Sequence, residues 1–326
     1  MYNNLKDCIL ALKRGEMILL IDDCIDGREI GYFYLLSQNV SPNHINLMIT
    51  HAKGLVSIVL TKKRAEELAL PKMEKSNENL YKNFTISIDS KSCTTGISAF
   101  ERCETIKMLI QKSTSLNDFI RPGHIFPIIS RERGLVEKVS ISEAATDLAK
   151  LCSSYLSGVI CEVLNNEGGI ANLKELKEKS IQQNLKMLSI KDLTEYQLKN
   201  TSLIVRQSDF TLPTKYGDVK TRTYLNQIDD SELIVMVGNS KKKNILPLPV
   251  YIDSGYSIGE ALEPKKLEKI TQDGTSVLIY RKLSNPKGQN VENRNMFMIE
   301  GWEKIIVEQI LKDINITNSV VITNVA

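Results

Sequence analysis

The sequence predicts an α/β domain followed by a smaller second domain with strands and helices of its own. Three observations carry this. Short apolar runs of strand length alternate with amphipathic helical stretches across residues 1–195, the pattern of layered strands and helices. A length of 326 residues fits about two domains of ~150 residues each. A strongly charged helical stretch, residues 173–200, closes the first part, and fresh strand-like runs begin beyond residue 205.

Each element follows from local pattern. "LKDCILALKRG" has apolar positions at helical spacing and a glycine stop at Gly15. "EMILLIDD" reads as a buried strand running into an acidic loop. "SPNHINLMITHAKG" has a Ser-Pro helix start and a closing glycine. "LVSIVLT" and the alternating "KNFTISIDS" read as strands. "ISAFERCETIKMLIQKS" is an amphipathic helix, and "SISEAATDLAKLCS" is a second one opening on a Ser-x-x-Glu cap. "IRPGHIFPI" (120–128) reads as a tight Pro-Gly turn between apolar runs, and "SGVICEVLN" as a short buried strand. Beyond residue 205, "SELIVMVGN", "TSVLIYRKL" and "SVVITN" are strands and "WEKIIVEQILKDI" is a helix, with a polar loop over 285–295.

Bulk properties narrow the function classes. The chain is 42% hydrophobic and 25% charged, like ordinary globular proteins. A net charge of +3 is too small to argue for nucleic acid, and "KKKN" (241–244) reads as a solvated loop. No signal peptide is expected at the N-terminus, and no run of about 18 apolar residues suggests a membrane span, so the expected location is cytoplasmic. The six cysteines form no CxxC pair, and reduced thiols are expected. No cysteine follows Cys161 and no histidine follows His124, so a zinc site in the second domain is not expected.

Several residues stand out. His124 in "RPGHIFPI" reads as an acid/base residue, a metal ligand or a packing residue. Glu162 in "GVICEVL" is a carboxylate inside an apolar strand. Such a group costs several kcal/mol unless paired, hydrogen-bonded or protonated, so it reads as a general acid or base, or as an edge residue facing water. Thr94 and Thr95 in "SCTTGIS" read as phosphate donors at a helix start or as plain N-capping groups. "DDCIDGREIG" gathers Asp22, Asp23, Asp26 and Glu29 around Arg28, either oxygen ligands for Mg²⁺ or an acidic solvated loop. His51 reads as a packed or capping residue.

Taken in order, "LIDD…REIG", "THAKGLV", "LALPKM", "FTISID", "CTTGISAFER", "RPGHIFPI", "SEAATDL" and "GVICEVLN" resemble the 3,4-dihydroxy-2-butanone 4-phosphate synthase family over about residues 5–195. The remainder resembles a GTP cyclohydrolase II domain through "LPTKYGDVKTRTY" and "SVLIYRKL". The implied architecture is an α/β synthase-like domain (1–200) followed by a smaller, truncated α+β cyclohydrolase-like domain (201–326) without zinc ligands. A homodimer with sites near its interface is also implied.

By this resemblance His124 and Glu162 fall on the family's two acid/base positions. Arg28 aligns with a substrate-contacting arginine and Glu29 with a metal-binding glutamate. Lys138 and Ser142 replace an arginine and a threonine that contact phosphate, and Thr94 and Thr95 join that substrate-binding set. Two departures concern the metal and the substrate. Ile141 stands where the family has its second metal-ligating histidine, and Tyr32 stands where it has a substrate-contacting aspartate. A weak or absent Mg²⁺ site is therefore expected, with no zinc and no GTP hydrolysis. The main expectation is a divergent synthase-like protein that binds ribulose 5-phosphate or a related sugar phosphate, its acid/base chemistry turned away from the metal-dependent reaction. The alternatives are retained synthase activity in riboflavin biosynthesis and a non-catalytic regulatory or scaffold homologue. A small phosphorylated substrate is the expected partner, with neither nucleic acid nor membrane.

Overall fold

The computed structural model describes residues 2–25, 28–73, 82–238, 247–272, 276–283 and 302–323. These divide into two compact units, one up to Gln197 and one from Leu198 onward.

The first unit opens with α1 (Leu5–Lys13), capped by the Asn4 side chain and closed by Gly15 at φ 83°. A hairpin follows, β1 (Ile18–Ile25) against β2 (Arg28–Leu36), with Ile25 opposite Arg28. Next come α2 (Pro42–Leu47), β3 (Lys53–Thr61), α3 (Lys62–Glu67), β4 (Ile88–Ser90) and α4 (Ala99–Ile110). Then β5 (Phe119–Ser130), α5 (Ile141–Leu151), β6 (Gly158–Val163), α6 (Leu173–Gln182), β7 (Lys186–Ser189) and α7 (Ile190–Asn200) complete the series. The strands form one mixed sheet in the order β4-β5-β3-β6-β2-β1-β7. Side chains alternate between its faces. On one face Leu19, Phe33, Cys161, Val56 and Ile125 pack against Ile45 of α2 and Ile106 of α4. The opposite face carries Tyr34, whose hydroxyl donates to the Ala145 carbonyl of α5 at 2.8 Å.

Three local expectations are corrected. The stretch 173–200 is not one helix: β7 interrupts it and pairs parallel with β1. "KMLS" is too short to show strand periodicity, and its partner lies far away in sequence. "SPNHINLMITHAKG" is not one helix ended by glycine. α2 passes into a π turn at Met48–Ala52, and Lys53 (φ 67°) breaks it. Gly54 serves the sheet instead, because a Cβ there would collide with the Glu162 carbonyl. In "KNFTISIDS" only Ile88–Ser90 is regular strand, joined by an isolated bridge from Phe84 to Ile128.

The second unit contains β8 (Ile204–Thr214), β9 (Gly217–Asn226), β10 (Glu232–Gly238), β11 (Leu248–Gly255), α8 (Ile258–Ala261), α9 (Pro264–Gln272), β12 (Val277–Lys282), α10 (Trp302–Asp313) and β13 (Ser319–Thr323). Its mixed sheet runs β13-β11-β12-β10-β9-β8. Its core gathers Val219, Ile234, Met236, Leu278 and Tyr280 with Leu267 and Ile270 of α9. The expected loops at 241–244 and 285–295 lie outside the described residues. Among the described residues no helix is long and apolar enough to cross a membrane.

Candidate functional site

His124 is the first anchor. It lies not on a tight turn but within β5, and the reason is in the ladder. The β4–β5 register jumps from Ile88↔Ile125 to Asp89↔Ile120, so 121–124 bulge out of an otherwise continuous strand. Pro122 has no N–H for a ladder, and a Cβ on Gly123 would strike the Ile88 backbone. The bulge delivers His124 to Asp89. The Asp89 carboxylate accepts from the His124 backbone N–H at 2.8 Å and lies 2.7 Å from its Nδ1. Asp89 is nearly buried, whereas the imidazole is 42% exposed. With a carboxylate accepting at Nδ1, the proton belongs on Nδ1 and Nε2 is left basic. A base held by an orienting carboxylate would need this geometry. Gly96 (φ 76°) packs on the pair so tightly that a Cβ would collide with both Asp89 and His124.

Glu162 is the second anchor. β6 lies between β3 and β2, so the edge-strand reading of Glu162 is corrected. It is half-buried, and its cost is met by an ion pair with Lys82 Nζ at 2.7 Å. That ammonium also sits 4.7 Å from the centroid of the Tyr32 ring. Tyr32 is the direct cross-strand partner of Glu162, and Leu20 pairs with Tyr32 from the other side. Asp22, two residues beyond Leu20, therefore shares their face. Tyr32 is buried, and among the described residues its hydroxyl finds no well-formed hydrogen bond beyond its approach to the Glu162 carboxylate. Burial pushes that phenol well above its usual range, helped by the charges of Glu162 and Asp22. Burial likewise raises the Asp22 carboxyl to about 7.

The two anchors belong to one region. Ser57 of β3 pairs with both Phe126 and Ile160, which puts those residues on one face. His124 and Glu162 each lie two residues from that row, toward the same end of the sheet. Two inter-strand spacings separate them, about 10 Å, enough for a small substrate.

The other expected site residues are distributed differently. Arg28 and Glu29 are exposed at the start of β2. Thr94 and Thr95 donate their hydroxyls to Glu101, which Ser98 also contacts. This cluster at the start of α4 holds the Glu101 carboxyl down to about 2, chiefly through the Thr94 hydroxyl. Ser142 is buried and hydrogen-bonded to Glu143 at 2.8 Å, and Glu143 also accepts from the Arg131 N–H at 2.9 Å. The expected cap at Ser140 is different too, since its hydroxyl meets the Glu143 side chain and not a backbone N–H. From His124 to Ser130 the strand advances six residues, about 20 Å. Ser142 is thus remote from His124 within one chain, and Lys138, half-buried, lies only four residues before it. A cleft of about 540 Å³ adjoins this end, lined by Lys62, Lys72, Asn83, Arg131 and Arg133 among others.

For a metal, Ile141 is apolar and fully buried. Asp23 accepts from the Ser189 hydroxyl and the Lys191 N–H, so it holds the start of α7. Asp26 lies outside the described residues. Among those described, no three His, Cys, Asp or Glu side chains are grouped to hold a metal ion. Sequence reasoning missed Asp89, Lys82 and the packing of Tyr32. A faint signal for Asp89 is its place in the alternating "ISIDS", which puts an acid at a strand position.

The family model for 3,4-dihydroxy-2-butanone 4-phosphate synthase matches residues 6–196. The chain belongs to the 3,4-dihydroxy-2-butanone 4-phosphate synthase family. The similarity runs beyond that domain. A riboflavin biosynthesis protein of Bacillus subtilis, RibBA, is 33% identical over 99% of this chain and 88% of its own length. The crystal structure of RibBX, a two-domain 3,4-dihydroxy-2-butanone 4-phosphate synthase from A. baumannii, superposes with a TM-score of 0.78 at 25% identity. That match covers 99% of this chain and 94% of RibBX. A 3,4-dihydroxy-2-butanone 4-phosphate synthase solved in complex with two magnesium ions matches 61% of this chain and 98% of its own, with a TM-score of 0.56 at 28% identity.

Proposed function

We propose that this chain is a riboflavin-pathway synthase that acts on ribulose 5-phosphate, with His124 and Glu162 transferring the protons. The reading is supported by the Asp89-bound imidazole on β5 and the Lys82-paired carboxylate on β6, strands that both flank β3. Similarity to RibBA over nearly the whole chain supports the pathway. A proton beside the substrate carbonyl is taken by one of the two groups and returned by the other, each at hydrogen-bond reach of the carbon skeleton. Asp89 keeps the His124 tautomer fixed through that cycle.

Lys138 and Ser142 lie too far from His124 in one chain to share a pentose phosphate with it. In this reading a second copy of the chain brings them to the site, and the basic side chains around Arg131 and Arg133 favour an anion there. Magnesium does not fit the described donors, because Ile141 cannot ligate and Asp23 is engaged with α7. No step is therefore assigned to a metal. The second unit, without cysteine or histidine, is a scaffold or regulatory element with no GTP cyclohydrolase activity.

A second reading is favoured by Ile141 itself: proton transfer on a sugar phosphate that stops short of the full synthase reaction. Complementation of a riboflavin auxotroph lacking its synthase separates the two. Growth without riboflavin is the expected result. No growth, from a protein that is expressed and folded, would defeat the synthase reading.

A further inference from the structure

We propose that Lys82 is the fixed positive charge of this site, facing the substrate oxygen on which negative charge develops. The inference rests on the sugar-phosphate reading above and deepens it. Three observations carry it. First, the Lys82 side chain is only 17% exposed and its ammonium is held from two sides, by Glu162 at 2.7 Å and by the Tyr32 ring at 4.7 Å. A cation gripped this way is preorganised, and the cation–π contact strengthens as it is desolvated. Second, Tyr32 is 1% exposed and is the cross-strand neighbour of Glu162, so phenol, carboxylate and ammonium are held side by side. A polar ligand beside Glu162 would meet all three groups at once. Third, among the described residues no three His, Cys, Asp or Glu side chains are grouped to hold a metal ion.

Enolisation needs no metal if a cation is already in place. A base takes the proton from the carbon beside the carbonyl. The C–H electron pair becomes the new C=C π bond, and the carbonyl π pair moves onto oxygen. A Lys82 N–H donates to the resulting oxyanion while the proton rides on His124 or Glu162. Reprotonation reverses the flow, with no oxidant or further reactant. Lys82 is offset from solvent by the same ring and carboxylate that orient it, so its charge is little screened.

The test follows solvent-deuterium exchange into ribulose 5-phosphate by NMR, using the full chain stripped with EDTA. The wild type is expected to exchange at the same rate with EDTA as with added magnesium chloride. Removing a preorganised donor typically lowers a rate about 10²–10³-fold, so Lys82→Met should lose that much with little change in KM. Lys82→Arg should restore part of it. Since Lys82→Met strands Glu162, the EDTA result on the unaltered chain stands as an independent measurement. It is joined by calorimetry with magnesium chloride alone, which should register no binding. Exchange that dies in EDTA and returns with magnesium would overturn the Lys82 role while leaving the sugar-phosphate reading intact. Exchange absent under both conditions would overturn that reading and the proposal together.

Discussion

Asp89→Asn alters one charge and almost no shape. Asp89 makes two contacts with His124, at 2.8 Å to its backbone N–H and 2.7 Å to Nδ1. The first is a ground-state contact that an asparagine oxygen can keep. The second strengthens when the imidazole gains a proton, because a carboxylate then faces a cation. Hydrogen bonds to charged groups contribute about 1.5–3 kcal/mol, and about 1.4 kcal/mol is one factor of ten. Losing the charge should therefore lower kcat/KM by about 10- to 100-fold. If the amide turns its NH₂ toward Nδ1, the tautomer flips, the proton moves to Nε2 and the loss is larger. Substrate affinity should change little, since Asp89 is nearly buried and orients the base. The assay is solvent-deuterium exchange into ribulose 5-phosphate under saturating and subsaturating substrate. A folded Asp89→Asn protein that keeps kcat/KM within about threefold of wild type would refute the role of His124 as the oriented base.

Other outcomes follow from the same geometry. Burial holds the Asp22 carboxyl up at about 7, above an unfolded value of about 3.9. The stability associated with its neutral form is thus fully present below about pH 4 and is lost as pH rises through about 7. Asp22→Asn should therefore gain on wild type between pH 5 and pH 8 by a few kcal/mol in order of magnitude; denaturant unfolding with the same difference at both pH values would contradict the buried acid. Lys138→Ala should weaken ribulose 5-phosphate binding about ten- to a hundredfold, and an unchanged affinity in calorimetry would remove Lys138 from the phosphate site. Ile141→His should gain divalent-ion binding if Glu29 lies within reach in the assembled protein, whereas tight magnesium binding already present in the wild type would overturn the reading of this pocket.

How far the sequence reached can be argued residue by residue. His124 and Glu162 stand out as candidates in the sequence because each breaks a local pattern, a histidine after Pro-Gly and a carboxylate in an apolar strand. The strands β1, β3, β6, β10 and β12 were legible because each buries an apolar run. Asp89 and Lys82 were not, because their partners lie 35 and 80 residues away, and only the strand order brings them together. β7 was hidden for a similar reason: four residues between charged helices carry no periodicity, and pairing with β1 alone makes them a strand. The turn at Pro122 was misread because Pro-Gly signals a turn locally, while the β4 pairing resumes at Ile120 and makes it a bulge. The distance between His124 and Ser142 was also invisible, since motif order says nothing about the length of strand between motifs.

The central claim is that His124 and Glu162 serve one reaction on ribulose 5-phosphate. Formate release from that substrate by the purified full chain, measured against His124→Ala and Glu162→Gln, tests it most directly. The account predicts formate from the wild type and a loss of several powers of ten in both variants, as expected for groups that act together in proton transfer. Formate release that survives either substitution, in proteins that remain folded, would contradict it.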